Sequence, residues 1–75
     1  MELLNRITID PLICHGKPVV RGLRYPVQTI LEWLSSGMTI DELILDYPDL
    51  EKDDFLACIE YASKMMSIRG SFKVA

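Results

Sequence analysis

The sequence contains little cysteine and no long apolar run, and both absences exclude classes of protein. Two cysteines in 75 residues are too few for the disulfide scaffold that stabilises many small secreted domains. No run of about 18 apolar residues occurs, so no transmembrane helix is predicted. The first residues lack the pattern of a signal peptide. We therefore expect a cytoplasmic protein whose two thiols are reduced.

Positive charge is also scarce, and most of it lies near the two ends of the chain. The sequence has 8 Lys and Arg residues against 11 Asp and Glu residues, for a formal net charge of −3. Residues 27–60 carry nine acids and one lysine, whereas residues 1–26 carry a net charge of +2 and residues 61–75 a net charge of +3. Such an acidic middle would repel the phosphate backbone of a nucleic acid and attract a basic protein surface.

The apolar content is high for so short a chain. Hydrophobic residues make up 49% of the sequence, which argues against intrinsic disorder. A chain of 75 residues forms one domain at most, and a domain of this size buries only a modest fraction of its surface. We expect one domain, residues 1–75, with a β-hairpin at 6–21, a trihelical core at 27–67 and a tail at 68–75. Some apolar side chains should then face a partner.

A short β-hairpin is predicted near the start of the chain. Residues 6–10 alternate polar and apolar side chains around two isoleucines, which is typical of a strand. Residues 18–21 form a second apolar run between Gly16 and Gly22, and Pro18 must begin that strand or lie at a sheet edge. An isolated two-stranded hairpin is marginally stable in water. We therefore expect the hairpin to pack on the helices or on another chain.

The first helix is predicted over residues 27–36. Apolar side chains at i, i+3, i+4 and i+7, counted from Val27, form one stripe. Trp33 lies beside that stripe and would widen the buried face. Pro26 suits the first turn of a helix, and Gly37 is expected to end it.

A second, short helix follows. Thr39 and Glu42 have the spacing of a capping box, in which each side chain bonds to the backbone of the other residue. Because the residue before a proline avoids the helical region, Pro48 should end this helix near residue 46.

The third helix is the longest, and it is predicted from residue 51 or 52 to residue 67. Acidic residues in its first turn complement the positive end of the helix dipole. Its apolar stripe is predicted to consist of Phe55, Cys58, Ile59, Ala62 and Met66. Three helices with short links have the outline of a helix-turn-helix. The predicted fold is mainly α, a three-helix, helix-turn-helix-like (homeodomain-like) core with a short N-terminal β-hairpin.

The order of these motifs resembles the prokaryotic domain-of-unknown-function family four-three-three. An isoleucine-rich strand precedes a Gly-Lys-Pro motif with two arginines, and the first helix ends in Gly-Met-Thr. An acidic helix then ends in Tyr-Pro, and the long helix carries a Tyr-Ala pair. The matching residues are Gly16, Lys17, Pro18, Val20, Arg21, Gly22, Arg24, Pro26, Val27, Gly37, Thr39, Glu42, Leu43, Tyr47, Pro48, Leu50, Tyr61 and Ala62. Leu23 stands where the family usually has threonine, so no role of that hydroxyl is carried over.

The resemblance implies a function as well as a fold. The family is grouped with antitoxins of type II toxin–antitoxin pairs, and the partner so implied is a small PIN-like nuclease toxin. We therefore expect an antitoxin-like interaction protein, a homodimer, that binds and neutralises such a toxin. The alternative is a DNA-binding transcriptional regulator that binds operator DNA through the helix-turn-helix and the basic hairpin.

Three cations near the hairpin are candidate contacts to a partner or to nucleic acid, namely Lys17, Arg21 and Arg24. Their alternative role is structural, with a loop arginine donating to carbonyl groups around Gly22 and Lys17 simply solvated. The third helix is the one that reads bases in a helix-turn-helix, but its first turn is mainly acidic and lacks the donors that base recognition needs. Any DNA contact is therefore expected from the hairpin.

Four apolar side chains in the last third are candidates for a protein interface, namely Leu56, Met65, Met66 and Phe72. Together they exceed what a small core is expected to hide, and methionine adapts well to binding surfaces. Ordinary core packing is the alternative.

No catalytic, metal or cofactor site is predicted. Cys14 and His15 are adjacent and Cys58 is distant, which does not match the ligand spacing of zinc sites. Cys14 and His15 also lack the third group of a nucleophilic triad, and Cys58 is expected in the core. We therefore expect no enzymatic activity, no small-molecule substrate and no membrane partner.

Overall fold

The computed structural model describes residues 3–68, which form three α-helices preceded by a two-stranded antiparallel sheet. The mainly α fold with an N-terminal hairpin is thus confirmed. All but the first residue of the predicted tail at 68–75 lies outside the described residues. In chain order the elements are a 3-10 helix (Leu3–Arg6), β1 (Ile7–Thr8), a 3-10 turn (Cys14–Gly16), β2 (Val19–Val20), α1 (Val27–Ser35), α2 (Ile40–Asp46) and α3 (Lys52–Ile68).

β2 lies between β1 and the segment that leads into α1, and it is the buried strand of the pair. The Val20 amide donates to the Tyr25 carbonyl oxygen at 3.2 Å, and the Val27 amide donates to the Pro18 carbonyl oxygen at 3.0 Å. Both residues of β2 are fully buried. The hairpin therefore packs on the helices, as the marginal stability of an isolated hairpin requires. In the antiparallel register, Ile7 is opposite Val20 and Thr8 is opposite Val19.

Both strands are shorter than the sequence predicted. The prediction of a strand over 6–10 is wrong at each end, because Arg6 closes the 3-10 helix and residues 9–10 lie beyond the paired residues. The prediction of a strand over 18–21 is wrong at Arg21, which lies in a turn with φ of 47°. Alternating side chains predict an extended segment, but they do not reveal how many of its residues find a partner strand.

The first two helices begin and end close to the predicted residues. α1 starts directly after Pro26 and ends one residue before the predicted limit, and Gly37 follows with φ of +101°. At the start of α2, the Glu42 amide donates to Thr39 Oγ1 at 3.2 Å and the Thr39 amide donates to Glu42 Oε1 at 2.8 Å. This is the predicted capping box, and it satisfies two backbone donors at the helix start. The hydrogen bond from the Thr39 amide to the Glu42 carboxylate, and then the one from the Thr39 hydroxyl to the same oxygen, hold the pKa of Glu42 below its usual value.

The buried face of α3 differs from the predicted stripe. Phe55 and Cys58 are fully buried, as predicted, but Ile59 is 47% exposed and Met66 is 49% exposed. Asp54 is fully buried although the predicted stripe did not include it, and Ala57 is fully buried beside it. The stripe was predicted from apolar residues alone, so it could not include a charged residue whose partners are arginines distant in the sequence.

A single cluster of buried apolar side chains holds the hairpin and the three helices together. Partly buried side chains surround it, among them Trp33, which widens the buried face of α1 as predicted. The buried members of the cluster are Val20, Val27, Ile30, Leu43, Leu50, Phe55 and Cys58.

Within the described residues, no helix combines the length and the apolar character that a membrane span requires.

Candidate interaction site

Asp54, in the first turn of α3, ties the hairpin to that helix. Its side chain is fully buried. Arg21 donates from Nε to Oδ1 at 3.0 Å and from Nη2 to Oδ2 at 2.8 Å. Arg6 donates to Oδ1 at 3.0 Å, and the Glu51 backbone amide donates to Oδ2 at 2.8 Å. The carboxylate is therefore fully hydrogen-bonded, as a buried charge must be.

The two arginines also bind groups around Asp54. Arg6 Nη1 lies 2.7 Å from Glu51 Oε1, and Arg6 Nη2 lies 3.8 Å from Asp53 Oδ2. Arg21 Nη2 donates to the Asp49 carbonyl oxygen at 2.8 Å. The link between α2 and α3 is thus held by the same guanidinium groups that anchor the hairpin.

Opposing effects set the pKa of Asp54. Burial alone would raise it, because a charge is costly away from water. The hydrogen bonds from Arg21, from the Glu51 amide and from Arg6 outweigh that cost and hold the pKa of Asp54 below its usual value. The carboxylate therefore stays ionised at neutral pH and keeps both arginines bound.

Arg21 occupies an uncommon backbone conformation for a residue with a side chain. Its φ is 47° and that of Gly22 is 70°, and the Leu23 amide donates to the Val20 carbonyl oxygen at 2.7 Å. Positive φ at both central residues is the pattern of a type I′ hairpin turn. Of the two roles considered for Arg21, the structural one matches these contacts, although the acceptors are Asp54 and Asp49 rather than carbonyl groups around Gly22.

Lys17 and Arg24 differ from Arg21. Both are exposed, and neither side chain forms a hydrogen bond or ion pair with any of residues 3–68, although the Lys17 backbone amide donates to the Cys14 carbonyl oxygen at 3.1 Å. The three predicted cations therefore differ in their surroundings. Arg21 is held by a buried carboxylate, whereas Lys17 and Arg24 face solvent.

A groove lies where the residues just before β2, one side of α1 along its whole length and the second half of α3 meet. Its volume is about 490 Å³, and it is open along one side. Lys17 and Met65, predicted as contact residues for different reasons, both line it, and Glu32 adds an acidic group. We call it the α1/α3 groove. Its apolar lining includes Pro18, Pro26, Val27, Leu31, Ala62 and Met65.

The other predicted interface residues lie elsewhere. Met66 is exposed and Leu56 is half-buried, and neither lines the groove. Phe72 lies outside the described residues. Of the predicted interface residues, only Met65 therefore lies in the groove.

Comparison with known proteins assigns the chain to a family. The family described as "Protein of unknown function (DUF433)" matches residues 7–62. The chain belongs to the DUF433 family. This match confirms the resemblance found in the sequence. The matched residues extend from the start of β1 to the middle of α3.

A solved DUF433 structure has the same fold. The crystal structure of a DUF433 member protein from Anabaena variabilis aligns with a TM-score of 0.75 at 33% sequence identity. The alignment covers 80% of this chain and 59% of that one, so this chain spans less than two thirds of the length of the Anabaena protein. No curated protein matches the chain.

The surface of this DUF433 chain around α2 and the link to α3 is acidic. Leu45, which is 83% exposed, lies between exposed acidic residues in the sequence. An apolar side chain set among carboxylates suits a partner that is basic and carries an apolar contact of its own. The exposed acids are Asp41, Glu42, Asp46, Asp49, Glu51 and Asp53.

An aromatic cluster of the DUF433 chain escaped the sequence analysis. Trp33 stacks on Tyr47, with ring centroids 4.6 Å apart and planes 9° apart. Tyr25 meets both rings edge-on and donates from its hydroxyl to Asp49 Oδ1 at 2.8 Å, a hydrogen bond that raises the pKa of Tyr25. Tyr25 lies in the link before α1, where no periodicity marks a residue as packed. Tyr47 continues the apolar spacing of Ile40, Leu43 and Ile44, but that spacing does not indicate which rings it meets.

The two cysteines of the DUF433 chain have no shared site. Both thiols are free, Cys14 is half-buried and Cys58 is fully buried. Burial, and then the negative charge of Asp54, raise the pKa of Cys58 to about 12, so this thiol is a poor nucleophile. Among residues 3–68, no group of three or more His, Cys, Asp and Glu side chains is placed to hold a metal ion.

Proposed function

We propose that this DUF433 chain is an antitoxin-like interaction protein that binds and neutralises a PIN-like nuclease toxin. In this proposal the chain acts as a homodimer and has no enzymatic activity of its own. The observation that carries the proposal is the α1/α3 groove, an open and largely apolar concavity in a very small domain.

The groove suits a segment of a partner protein. Monomeric proteins rarely expose contiguous apolar surface unless something binds there, and an amphipathic helix commonly places its apolar face in a groove of this kind. Lys17 and Glu32 lie among the lining residues. Opposite charges at such a site fix the direction of the bound segment more than they add affinity.

The acidic surface supports the nuclease as the partner. A nuclease must attract the phosphates of its substrate, so the surface around its active site carries positive charge. The exposed acids of α2 and the α2–α3 link offer a complementary surface on this chain. We therefore infer that the groove supplies apolar contacts and that the acidic surface guides association.

Co-expression with the product of the adjacent reading frame, which the proposal expects to be a PIN-like nuclease, tests the proposal. We expect the tagged chain to retain the nuclease on affinity resin and to restore growth that the nuclease alone arrests. Met65→Glu, which places a charge in the groove at a partly exposed position, should abolish both effects. The matched control is Leu12→Glu, because Leu12 is 87% exposed and does not line the groove.

Three results would count against this function. They are failure of the unaltered chain to retain the nuclease, restoration of growth without complex formation, and retention that Met65→Glu leaves intact. Circular dichroism of the variant shows whether it is folded, so that a loss of binding is not confused with a loss of structure.

DNA binding is the second candidate, and two exposed cations favour it. The side chains of Lys17 and Arg24 have no ion-pair partner among residues 3–68, so they are available to contact phosphates. The start of α3, however, presents Glu51 and Asp53 to solvent, and these acids oppose the insertion of that helix into a groove of DNA. A mobility-shift titration with the chain's own promoter decides the matter. Binding at low salt that Lys17→Ala and Arg24→Ala weaken would support regulation, and no shift at low salt would reject it.

A further inference from the structure

We propose that the α1/α3 groove takes one amphipathic helix of the partner nuclease, which lies between α1 and α3 and completes the helical core. The inference deepens the proposed function, because it rests on the nuclease as partner and adds which kind of segment the nuclease inserts. The other occupants, a strand of the nuclease or a second copy of this chain, are outcomes that the tests below distinguish.

The first argument is that the groove continues the core along one side of α3. Counted from Cys58, the positions i+3, i+4 and i+7 are Tyr61, Ala62 and Met65, and this spacing places them on one side of the helix. Cys58 is fully buried, Tyr61 and Ala62 are half-buried, and Met65 is 37% exposed. The side of α3 that packs in the core is therefore progressively uncovered toward the end of the helix, where it lines the groove.

The second argument is the length and polarity of the opposite wall. α1 lines the groove from Val27 to Ser35, a distance of about 12 Å at a rise of about 1.5 Å per residue. Val27 is buried and Leu31 is half-buried, whereas Gln28, Glu32 and Ser35 are exposed. The wall is thus apolar at its base and polar at its rim. An amphipathic helix with apolar anchors at i, i+3 or i+4, and i+7 has that length and that division of polarity.

The third argument concerns the backbone at the end of the groove beside the hairpin. Pro18 and Pro26 line it, and neither has an amide proton to donate. Their carbonyl oxygens already accept hydrogen bonds, from the Val27 amide at 3.0 Å and from the Ile30 amide at 3.2 Å. An extended segment binds by adding backbone hydrogen bonds to a sheet edge, whereas a helix satisfies its own backbone groups. The groove therefore suits a helix rather than a strand.

Charge places a further requirement on the inserted helix. Lys17 is level with the start of α1, because the carbonyl oxygen of the next residue, Pro18, accepts from the Val27 amide. Glu32 lies about 7.5 Å further along α1 at about 1.5 Å per residue. The exposed Lys17 side chain has no ion-pair partner among residues 3–68, and Glu32 accepts a long hydrogen bond of 3.5 Å from Gln28. We expect an acidic residue of the inserted helix beside Lys17 and a basic one beside Glu32, which fixes its direction.

Hydrogen exchange tests which segment the nuclease inserts. The sample is the complex of the full chain with the product of the adjacent reading frame. We expect binding to slow exchange at the amides of the second half of α3 and, in the nuclease, to slow it most within one helix. Slowed exchange in the nuclease that is confined to a strand or a loop would overturn the inference.

A synthetic peptide with the sequence of that nuclease helix tests the mode of binding. We expect the peptide to bind the full chain and to gain helical circular dichroism on binding, and a proline at its centre should abolish both effects. Met65→Glu should weaken binding at least tenfold. The matched control is Ser63→Glu, at an exposed position of α3 outside the groove, which should leave the affinity unchanged. A peptide that does not bind at millimolar concentration, or that binds equally well with the proline, would overturn the inference.

Charge reversal tests the direction of the inserted helix. Lys17→Glu should weaken binding of the nuclease about fivefold, the range expected for a partly exposed ion pair. Arg24→Glu is the matched control, because it makes the same change in net charge at an exposed position outside the groove, and it should not weaken binding. Equal affinities of the two variants would overturn the assigned direction.

The outcomes separate this inference from the proposed function. If the nuclease binds and is inhibited but its protected segment is not a helix, the inference alone fails. If no complex forms, the proposed function fails and the inference with it. Sedimentation of the chain without the nuclease tests the remaining occupant. A dimer that Met65→Glu dissociates would assign the groove to a second copy and would overturn the inference.

Discussion

At the scale of single residues, Asp54 joins three segments that are far apart in the sequence. It accepts hydrogen bonds from Arg6 before β1, from Arg21 after β2 and from the Glu51 amide. Hydrogen bonds to a buried charge are individually stronger than neutral ones. Loss of this carboxylate would leave two guanidinium groups without their shared partner.

Replacement of Asp54 by asparagine should lower the free energy of unfolding by about 2 kcal/mol, since one partner of a buried ion pair is removed. The control is Asp53→Asn, at an exposed neighbouring position, which should change stability by less than about 0.5 kcal/mol. Urea denaturation of the three proteins measures the effect. Equal stability of the wild type and Asp54→Asn would contradict the role given to this carboxylate.

The depressed pKa of Asp54 makes its contribution depend on pH. Because the folded-state pKa lies below the unfolded value, which is about 3.9, the stabilisation is fully present above about pH 5. It is lost as the pH falls through the folded-state pKa. The difference in stability between the wild type and Asp54→Asn should therefore narrow as the solution is acidified. A difference that stays constant down to acidic pH would show that the charge is not what stabilises the fold.

Cys58 provides a second test at this scale. Its pKa of about 12 and its full burial leave almost no accessible thiolate, which is the reactive form. In a Cys14→Ser background, native protein should react with iodoacetamide at mildly alkaline pH far more slowly than protein unfolded in urea. Equal rates, followed by mass spectrometry, would place this thiol outside the core.

At the scale of elements, local sequence signals determine where α1 and α2 begin and end. Tertiary contacts determine which face of α3 is buried. Pro26, Gly37 and the Thr39–Glu42 capping box act within one helix turn, so the sequence alone could place both helices. The buried face of α3 was not predictable in the same way. An aspartate in a first helical turn normally faces solvent, and only the two distant arginines reveal that Asp54 is buried.

Thr39 at the start of α2 tests the capping box. Thr39→Ala removes the acceptor for the Glu42 amide and should destabilise the protein by about 1 kcal/mol, whereas Thr39→Ser should retain most of the stability. Thermal unfolding followed by circular dichroism distinguishes the three proteins. Loss of stability in the serine variant as large as in the alanine variant would show that the hydroxyl is not the stabilising group.

At the scale of the whole molecule, the segment that leads into β2 forms part of the α1/α3 groove. The arginine pairs with Asp54 hold the hairpin against α3, and Lys17 and Pro18 just before β2 then form one wall of the α1/α3 groove. The sequence predicted the cations and the methionines as contacts. It could not predict that Lys17 and Met65 line the same groove, or that the Arg21 side chain is bound by Asp54. Both arrangements depend on how the hairpin packs against the helices.

The two adjacent methionines differ in their surroundings, because Met65 lines the groove whereas Met66 is exposed outside it. The family assignment over residues 7–62 includes the hairpin and α1 in full, and it ends before both methionines.

The most direct test of the account is a calorimetric titration of the purified PIN-like nuclease with this chain, with residual nuclease activity measured on the same samples. We predict saturable binding and loss of nuclease activity at the same stoichiometry. Met65→Glu should weaken the affinity at least tenfold, about 1.4 kcal/mol, whereas Leu12→Glu should not change it. The account would be contradicted by the absence of binding heat together with undiminished nuclease activity, or by equal affinity of the Met65→Glu and wild-type chains.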